Sequence, residues 1–201
     1  MQQSDEWFAA RVGKVTASNV WRVLARTQSG WSAERANYRA DLVVERLTGV
    51  RHEIKTTAAM QWGIDQEQFA RGAYEVDQGC FVDEVGFIEH PTIQMSGASP
   101  DGLIGDDGLL EIKCPETKTV IDIWLNDKIP EKHLHQINWQ LACTRRNWCD
   151  YVVFDSRMPK ELQLYIQRVH RNSETIAKME TEVQTFLDEV DKLVNKLKEL
   201  K

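Results

Sequence analysis

The chain has 201 residues, 42% hydrophobic and 28% charged, enough apolar material for one compact domain and too little for two full ones. Its 25 Lys and Arg against 31 Asp and Glu give a net charge of −6. That excludes a body coated in positive potential, as in proteins that hold nucleic acid on their outer surface, but leaves room for a basic channel inside an acidic exterior. The longest apolar runs are a few residues, such as Tyr151-Val152-Val153-Phe154, so no membrane span is expected. Asp5, Glu6, Arg11 and Lys14 occupy the stretch where a secretory leader needs an apolar core, and the expected compartment is the cytoplasm. Cys80, Cys114, Cys143 and Cys149 form no Cys-x-x-Cys pair, which fits reduced, buried thiols rather than zinc or iron–sulfur ligands.

Residues 4–26 read as two helical pieces broken around Val12-Gly13-Lys14, with the hydroxyls of Thr16 and Ser18 at the start of the second. Residues 35–48 form an amphipathic helix with Tyr38, Leu42, Val43 and Leu47 as its apolar stripe and Gly49 as its stop. A third helix runs from Thr57 to Val76 and ends before Gly79. From Cys80 to Glu89 and from Thr92 to Ser96 the chain alternates and is β-branched, so strands are expected, with Gly97, Gly102, Gly105 and Gly108 marking turns. Leu109 to Lys113 reads as a strand closed by Pro115. Helices follow at 117–126 and 132–146, then strands at 151–155 and 162–170. Together this is a mixed α/β plan, a central sheet flanked by helices. Residues 173–201 form a long terminal helix whose Met179, Val183, Phe186, Val190, Leu193, Leu197 and Leu200 step in heptads. With fewer than four full heptads, it is expected to lie across its own domain rather than form a coiled coil. The whole chain is read as one domain.

The chemistry concentrates in Ser99-Pro100-Asp101-Gly102 and Glu111-Ile112-Lys113. On a strand Glu111 and Lys113 project to one side and Ile112 to the other, and a turn-rich hairpin can return Asp101 beside Glu111. Two carboxylates and an ammonium at one sheet edge suit Mg²⁺ or Mn²⁺, with the lysine orienting an attacking water. The acid-x-Lys triplet is weak by itself, since solvated strands often alternate Glu and Lys. The preceding Pro-Asp-Gly strengthens it. Glu67 is either a solvent-facing partner of Arg71 at i, i+4 or a third carboxylate that lets the site hold a second ion. Arg11 joined to Thr16-Ala17-Ser18 offers a cationic fork beside a helix start, a phosphate-binding combination, though a plain capped helix reads the same way. Arg22 and Arg26, one turn apart on the expected helix, are either plain solvated surface or cations that would line a channel. Gln136 and Gln140 share a helix face. His133 and His135 lack the partners of a zinc site.

In order, Arg11-x-Gly13-x-x-Thr16-Ala17-Ser18, Trp62-Gly63-x-x-x-Glu67 with Ala70-Arg71, Ser99-Pro100-Asp101-Gly102, Gly108 to Pro115, Thr144-Arg145-x-Asn147 and Asp155-x-Arg157-Met158 resemble the YqaJ-like viral recombinase family. The likeness covers about three quarters of the chain. It implies a restriction-endonuclease-like core and a Mg²⁺-dependent 5′→3′ exonuclease on double-stranded DNA ends, with Mn²⁺ as a substitute and two ions per site. It also implies a homotrimeric ring and a single-strand annealing partner in the cytoplasm of a bacterial host. Carried over, Asp101, Glu111 and the Ile112 carbonyl would ligate metal and Glu67 would complete the cluster. Lys113 would act on the attacking water, and Gln136 would assist nearby. Arg11, Ser18 and Ser99 would contact the terminal 5′-phosphate or the scissile strand. No role carries over to Asn138 or Gln140, where this sequence departs from the pattern. Competing readings are an end- or structure-specific endonuclease of the same superfold, a RecB-like nuclease or its iron–sulfur relatives, and a DNA-end-binding scaffold. The cysteine pattern opposes the iron–sulfur relatives, and the full set of acids and lysine opposes the scaffold.

Overall fold

The computed structural model describes residues 2–52 and 56–200. Helix α1 (Asp5–Arg11) starts where the Ser4 hydroxyl accepts the Trp7 amide at 3.2 Å. The chain then turns at Gly13, whose φ is +69° and whose added Cβ would lie 2.7 Å from Arg46 Cγ. Its N–H donates to buried Glu45 at 2.7 Å and its carbonyl accepts from Arg46 Nε at 2.8 Å, so the break is pinned from a distant helix. Strand β1 (Val15–Thr16), a 3₁₀ turn at Ala17–Asn19 and helix α2 (Val20–Leu24) follow. The Thr16 and Ser18 hydroxyls bond each other at 3.3 Å instead of capping a helix. The chain leaves α2 in extended conformation at Ala25, and strands β2 (Arg26–Thr27) and β3 (Gly30–Trp31) form a hairpin. Arg26 therefore lies on a strand, and its expected one-turn spacing from Arg22 is corrected.

Helix α3 (Ala33–Thr48) buries Tyr38, Leu42 and Val43 but leaves Leu47 42% exposed. Arg35 and Glu45 are buried in addition, Arg35 through a two-pronged pair with Glu189 at 2.8 Å on each arm. Gly49 ends the helix with φ of +70°. Helix α4 (Ala58–Gln78) is capped by the Thr57 hydroxyl and stopped by Gly79.

The expected strands between 80 and 96 are largely absent. Only β4 (Ile88–Glu89), a lone bridge from Asp83 to Leu103, and β5 (Ser96–Ala98) pair there. Competing local bonds explain the difference. The buried His90 ring accepts the Ile93 amide at 3.0 Å and Ser96 donates to the Ile93 carbonyl at 2.9 Å, which holds the segment in turns. Strands β1, β5 and β4 make a small sheet in that order.

The main sheet has the order β6 (Gly102–Ile104), β7 (Gly108–Lys113), β8 (Trp148–Phe154), β9 (Leu164–His170). Pairing is antiparallel at both edges and parallel between β7 and β8. Helices α5 (Thr117–Asn126) and α6 (Glu131–Thr144) bridge β7 to β8. Strand alternation divides the core into two. Leu109, Tyr151 and Val153 pack with α6 and the terminal helix, whereas Leu110, Ile112, Val152 and Phe154 pack with Ala70 and Tyr74 of α4. Glu111 and Lys113, in phase with Leu109, point to the α6 side.

Helix α7 (Ser173–Lys198) lies on α2, α3 and α6, burying Ile176, Met179, Val183, Phe186, Leu187, Val190 and Val194. Of the heptad residues, Leu193, Leu197 and Leu200 are exposed. A straight helix drifts about 20° per heptad against a seven-residue repeat, so Val194 takes the place expected for Leu193. Lys201 lies outside the described residues. Among the described residues no helix is long and apolar enough to cross a membrane.

Candidate active site

Three elements meet at the carboxyl end of β7. The Pro100-Asp101 turn enters β6, which pairs back so that the Asp101 amide donates to Leu110 at 3.1 Å. Asp101 Oδ2 in turn accepts the Ile112 amide at 2.7 Å. Glu111 is fully buried. Its Oε1 takes hydrogen bonds from Lys113 Nζ and from Gln136 Nε2 at 2.6 Å, and its Oε2 takes one from Gln140 Nε2. Gln140, given no role by the sequence, therefore holds the second oxygen of the central carboxylate. Its i, i+4 relation to Gln136 was the available signal. Ile112 faces the opposite side, in the α4 core.

Glu67 comes from α4 and occupies both of the places considered for it. Arg71 donates to it at 2.9 Å, one turn along, and it is close enough to Asp101 and Glu111 to share their field. Burial, and then the charges of Glu111 and Glu67, hold the Asp101 carboxyl well above the usual range. Burial and the Glu111 charge also raise Glu67 against the pull of Arg71. Burial pulls the Lys113 ammonium down, but the charges of Glu111 and Asp101 outweigh it and leave its pKa raised. The lysine is thus firmly cationic. His133 donates to or accepts from Tyr151 at 2.8 Å, and burial, aided by Lys113, depresses its pKa to about 3, so it is neutral.

Three acids face one lysine here, with Arg71 at the edge. Hard carboxylate oxygens, and an aspartate raised by burial and by neighbouring negative charge, fit divalent Mg²⁺ or Mn²⁺. Among the described residues no three Asp, Glu, His or Cys side chains are already gathered as a metal cage. Each carboxylate is instead drawn to a protein donor: Asp101 to Ile112, Glu111 to Lys113 and the glutamines, Glu67 to Arg71.

Beside the acids, Ser99 Oγ accepts from Trp7 Nε1 at 2.8 Å and from Arg11 at 3.4 Å. Arg11 lies over the Trp7 ring, 4.0 Å from its centroid, a pair that sequence reading passed over although the two are one turn apart on α1. Arg11 lines a cleft of about 300 Å³ with Lys14, Ser18, Asn19 and Arg22. Burial lowers the Arg11 pKa to about 10, still cationic at neutral pH, and among the described residues no carboxylate pairs with it. Arg22 reaches the same cleft while bonded to Glu34 at 3.3 Å and Asp41 at 3.1 Å. Arg26 does not reach it. It lies over Trp31 and pairs with Glu182 at 2.9 Å, beside a separate cleft bordered by Trp21 and Lys132.

A mixed sheet flanked by helices, with an acid-x-Lys strand and an aspartate returned to it by a hairpin, is the arrangement of the restriction-endonuclease-like nucleases. Within that class the chain belongs to the family described as the YqaJ-like viral recombinase domain, whose family model matches residues 6–147. An alkaline exonuclease, LHK-Exo, solved in complex with dAMP, is 47% identical with a TM-score of 0.93 over 98% of this chain and 97% of its own. A further LHK-Exo structure, from Laribacter hongkongensis, is 46% identical with a TM-score of 0.92 over the same shares. A phage related exonuclease from Haemophilus somnus 129PT, 13% identical with a TM-score of 0.75 over 92% of this chain and 96% of that one, shares the fold. No curated protein matches the chain. Family and relatives together mark the chain as a nuclease.

Proposed function

We propose that the chain is a metal-dependent 5′→3′ exonuclease that removes one strand of double-stranded DNA from its ends. The 3′ single-stranded overhangs so left would serve homologous recombination by single-strand annealing. The observation that carries this reading is the adjacency of two sites. Ser99, which accepts from the phosphate-seeking Arg11, is two residues from Asp101 of the acid cluster. A 5′-phosphate on Arg11, Ser18 and Ser99 would set the first phosphodiester against the acids.

Asp101, Glu111, Glu67 and the Ile112 carbonyl would hold two Mg²⁺ ions, with Mn²⁺ as a substitute. Such ions lower the pKa of a bound water and stabilise the attacking and leaving oxygens of the phosphodiester. Lys113, kept protonated by its neighbours, is suited to orient the water and to face the negative charge that develops on the phosphorus oxygens. Gln136 and Gln140 fix the Glu111 carboxylate so that both of its oxygens keep their directions. The remaining parts of the reading are a homotrimeric ring around DNA, an annealing protein as partner, and a bacterial host cytoplasm. A net charge of −6 leaves room for a basic channel within such a ring.

The test is digestion of 5′-end-labelled linear duplex beside a covalently closed circle, with Mg²⁺ and with chelator. Labelled mononucleotide should appear first, from the linear duplex alone, and only with the cation. Nicking of the circle would replace this reading with an endonuclease. Sedimentation at micromolar concentration should give a trimer, and a strict monomer would defeat the ring.

A further inference from the structure

The Asp155-x-Arg157 motif stands outside the chemistry described so far, yet it is built with care. Asp155, the residue after β8, is fully buried and takes two arms of the Arg157 fork, from Nε at 2.8 Å and Nη2 at 3.1 Å. The Thr117 hydroxyl bonds the same carboxylate at 2.6 Å. Arg157 Nη2 also donates to the Pro115 carbonyl at 3.3 Å, two residues past Lys113. The guanidinium lies over the Trp62 ring, 4.3 Å from its centroid. A planar cation fixed on three sides in this way loses little freedom when it takes an anion.

Its Nη1 has no hydrogen-bond partner among the described residues, and the Arg157 side chain is 44% exposed. Trp62 and Arg157 wall a cleft of about 210 Å³ with Ala58, Ala59 and Glu116. The buried indole N–H of Trp62 also has no hydrogen-bond acceptor among the described residues. Glu116, the other charged group, sits exposed on the rim.

The cleft lies on a particular side of α4. Trp62 and Glu67 are five residues apart, which turns their side chains about 140° from one another around the helix. Gln66, on the Trp62 flank, meets Ser156 of the same loop at 2.7 Å, whereas Glu67 meets the acid cluster. A phosphate seated on Arg157 is thus held on the flank of α4 turned away from Glu67.

We propose that Arg157, mounted on Trp62 and locked by Asp155, holds a backbone phosphate of the DNA strand that is not cut. The inference rests on the nuclease reading and adds a second strand contact to it. One flank of α4 serves hydrolysis and the other retains the surviving strand.

The experiment is equilibrium binding of a short 5′-phosphorylated duplex in chelator, by fluorescence anisotropy over a series of salt concentrations. Arg157→Gln should flatten the slope of log K against log salt by about one, the mark of one lost phosphate contact, and Arg157→Lys should keep the slope. Neutral methylphosphonate linkages in the uncut strand should weaken binding by the wild type and leave Arg157→Gln unchanged. The same linkages in the cut strand should weaken both. The wild-type arm alone carries the strand assignment even where a variant folds poorly. An unchanged slope in a folded Arg157→Gln, or sensitivity confined to the cut strand, overturns the proposal. A wild type that binds no duplex would overturn the nuclease reading and this one with it, whereas wild-type binding with an unchanged variant overturns this one alone.

Discussion

Two groups of buried acids sit on the same four-stranded sheet, and their partners differ in kind. On β8, Asp150 is met by Arg168 through two nitrogens at 2.7 and 2.8 Å and by the Tyr74 hydroxyl at 2.6 Å. At its end, burial pushes against ionisation of Asp155, but the Arg157 and Thr117 hydrogen bonds outweigh it and hold the carboxyl below the usual range. One strand away, Glu111 is met chiefly by neutral amides and one lysine, and Asp101 by a single backbone N–H. The β8 acids are neutralised by fixed guanidinium groups, which is what a stable interior requires. The β7 acids keep their oxygens directed but their charge only partly compensated, by Lys113. The chain has matched the β8 carboxylates with arginine and left the β7 ones short of positive charge, as the proposed dication site requires.

The sharpest way to break this contrast is to exchange losses between the two sets. Asp101→Asn and Glu111→Gln should each reduce nucleolysis by about 1,000-fold or more, on the order of 4 kcal/mol. Asp101→Asn should leave the metal-free melting temperature unchanged or higher, since an amide oxygen can still accept the Ile112 N–H. Asp150→Asn should do the reverse. It should cost about 2 kcal/mol of stability, discounted because Arg168 is half-exposed and can rehydrate, while keeping the turnover per folded molecule. Steady-state digestion and thermal melts on the same preparations read both. A destabilised Asp101→Asn beside an inactive but stable Asp150→Asn would erase the distinction.

Gln140 sharpens the comparison at smaller scale. Gln140→Leu removes the donor from one oxygen of a fully buried carboxylate, so the expected loss is about 10- to 100-fold in cation affinity. Titration of activity with Mg²⁺ should show the loss recovered at high concentration. An unrecoverable loss would mean that Gln140 does more than hold Glu111.

Much of this contrast was readable one residue at a time. The Glu111/Lys113 alternation needs only a strand, and the Pro-Asp-Gly turn needs only a hairpin to bring Asp101 back. Gly49 and Gly79 ended their helices where an αL residue was required. What escaped the reading depends on partners far along the chain. The Gln140 and Glu111 side chains are 29 residues apart, and Tyr74 and Asp150 are 76 apart. Segment 80–96 looked like strand because β-branched residues pack as well in turns, where the His90 ring supplied the hydrogen bonds a ladder would have given. Arg26 was misplaced because α2 is only five residues long, and nothing in Val20 to Leu24 announces that the chain extends at Ala25.

The weakest of the expected effects is in pH, and its direction is opposite in the two groups. Asp101 and Glu67 have raised folded pKa values, so the native chain holds protons that the unfolded chain has already released. Their ionisation therefore costs stability. Metal-free stability from this source is highest below the ordinary carboxylate range and declines as pH rises through the raised values. Cation affinity should climb through the same window, because cation and proton compete for the same oxygens. Asp155, with a lowered pKa, contributes stability above the ordinary range and loses it as pH falls through its folded value. Thermal melts in chelator across pH should thus show a flatter alkaline limb in Asp101→Asn, while its acid limb, set by acids such as Asp155, is unchanged. If Asp101→Asn keeps the wild-type slope on the alkaline side, the excess negative charge at β7 is already relieved within the protein, and the β7 acids differ from those of β8 only in position.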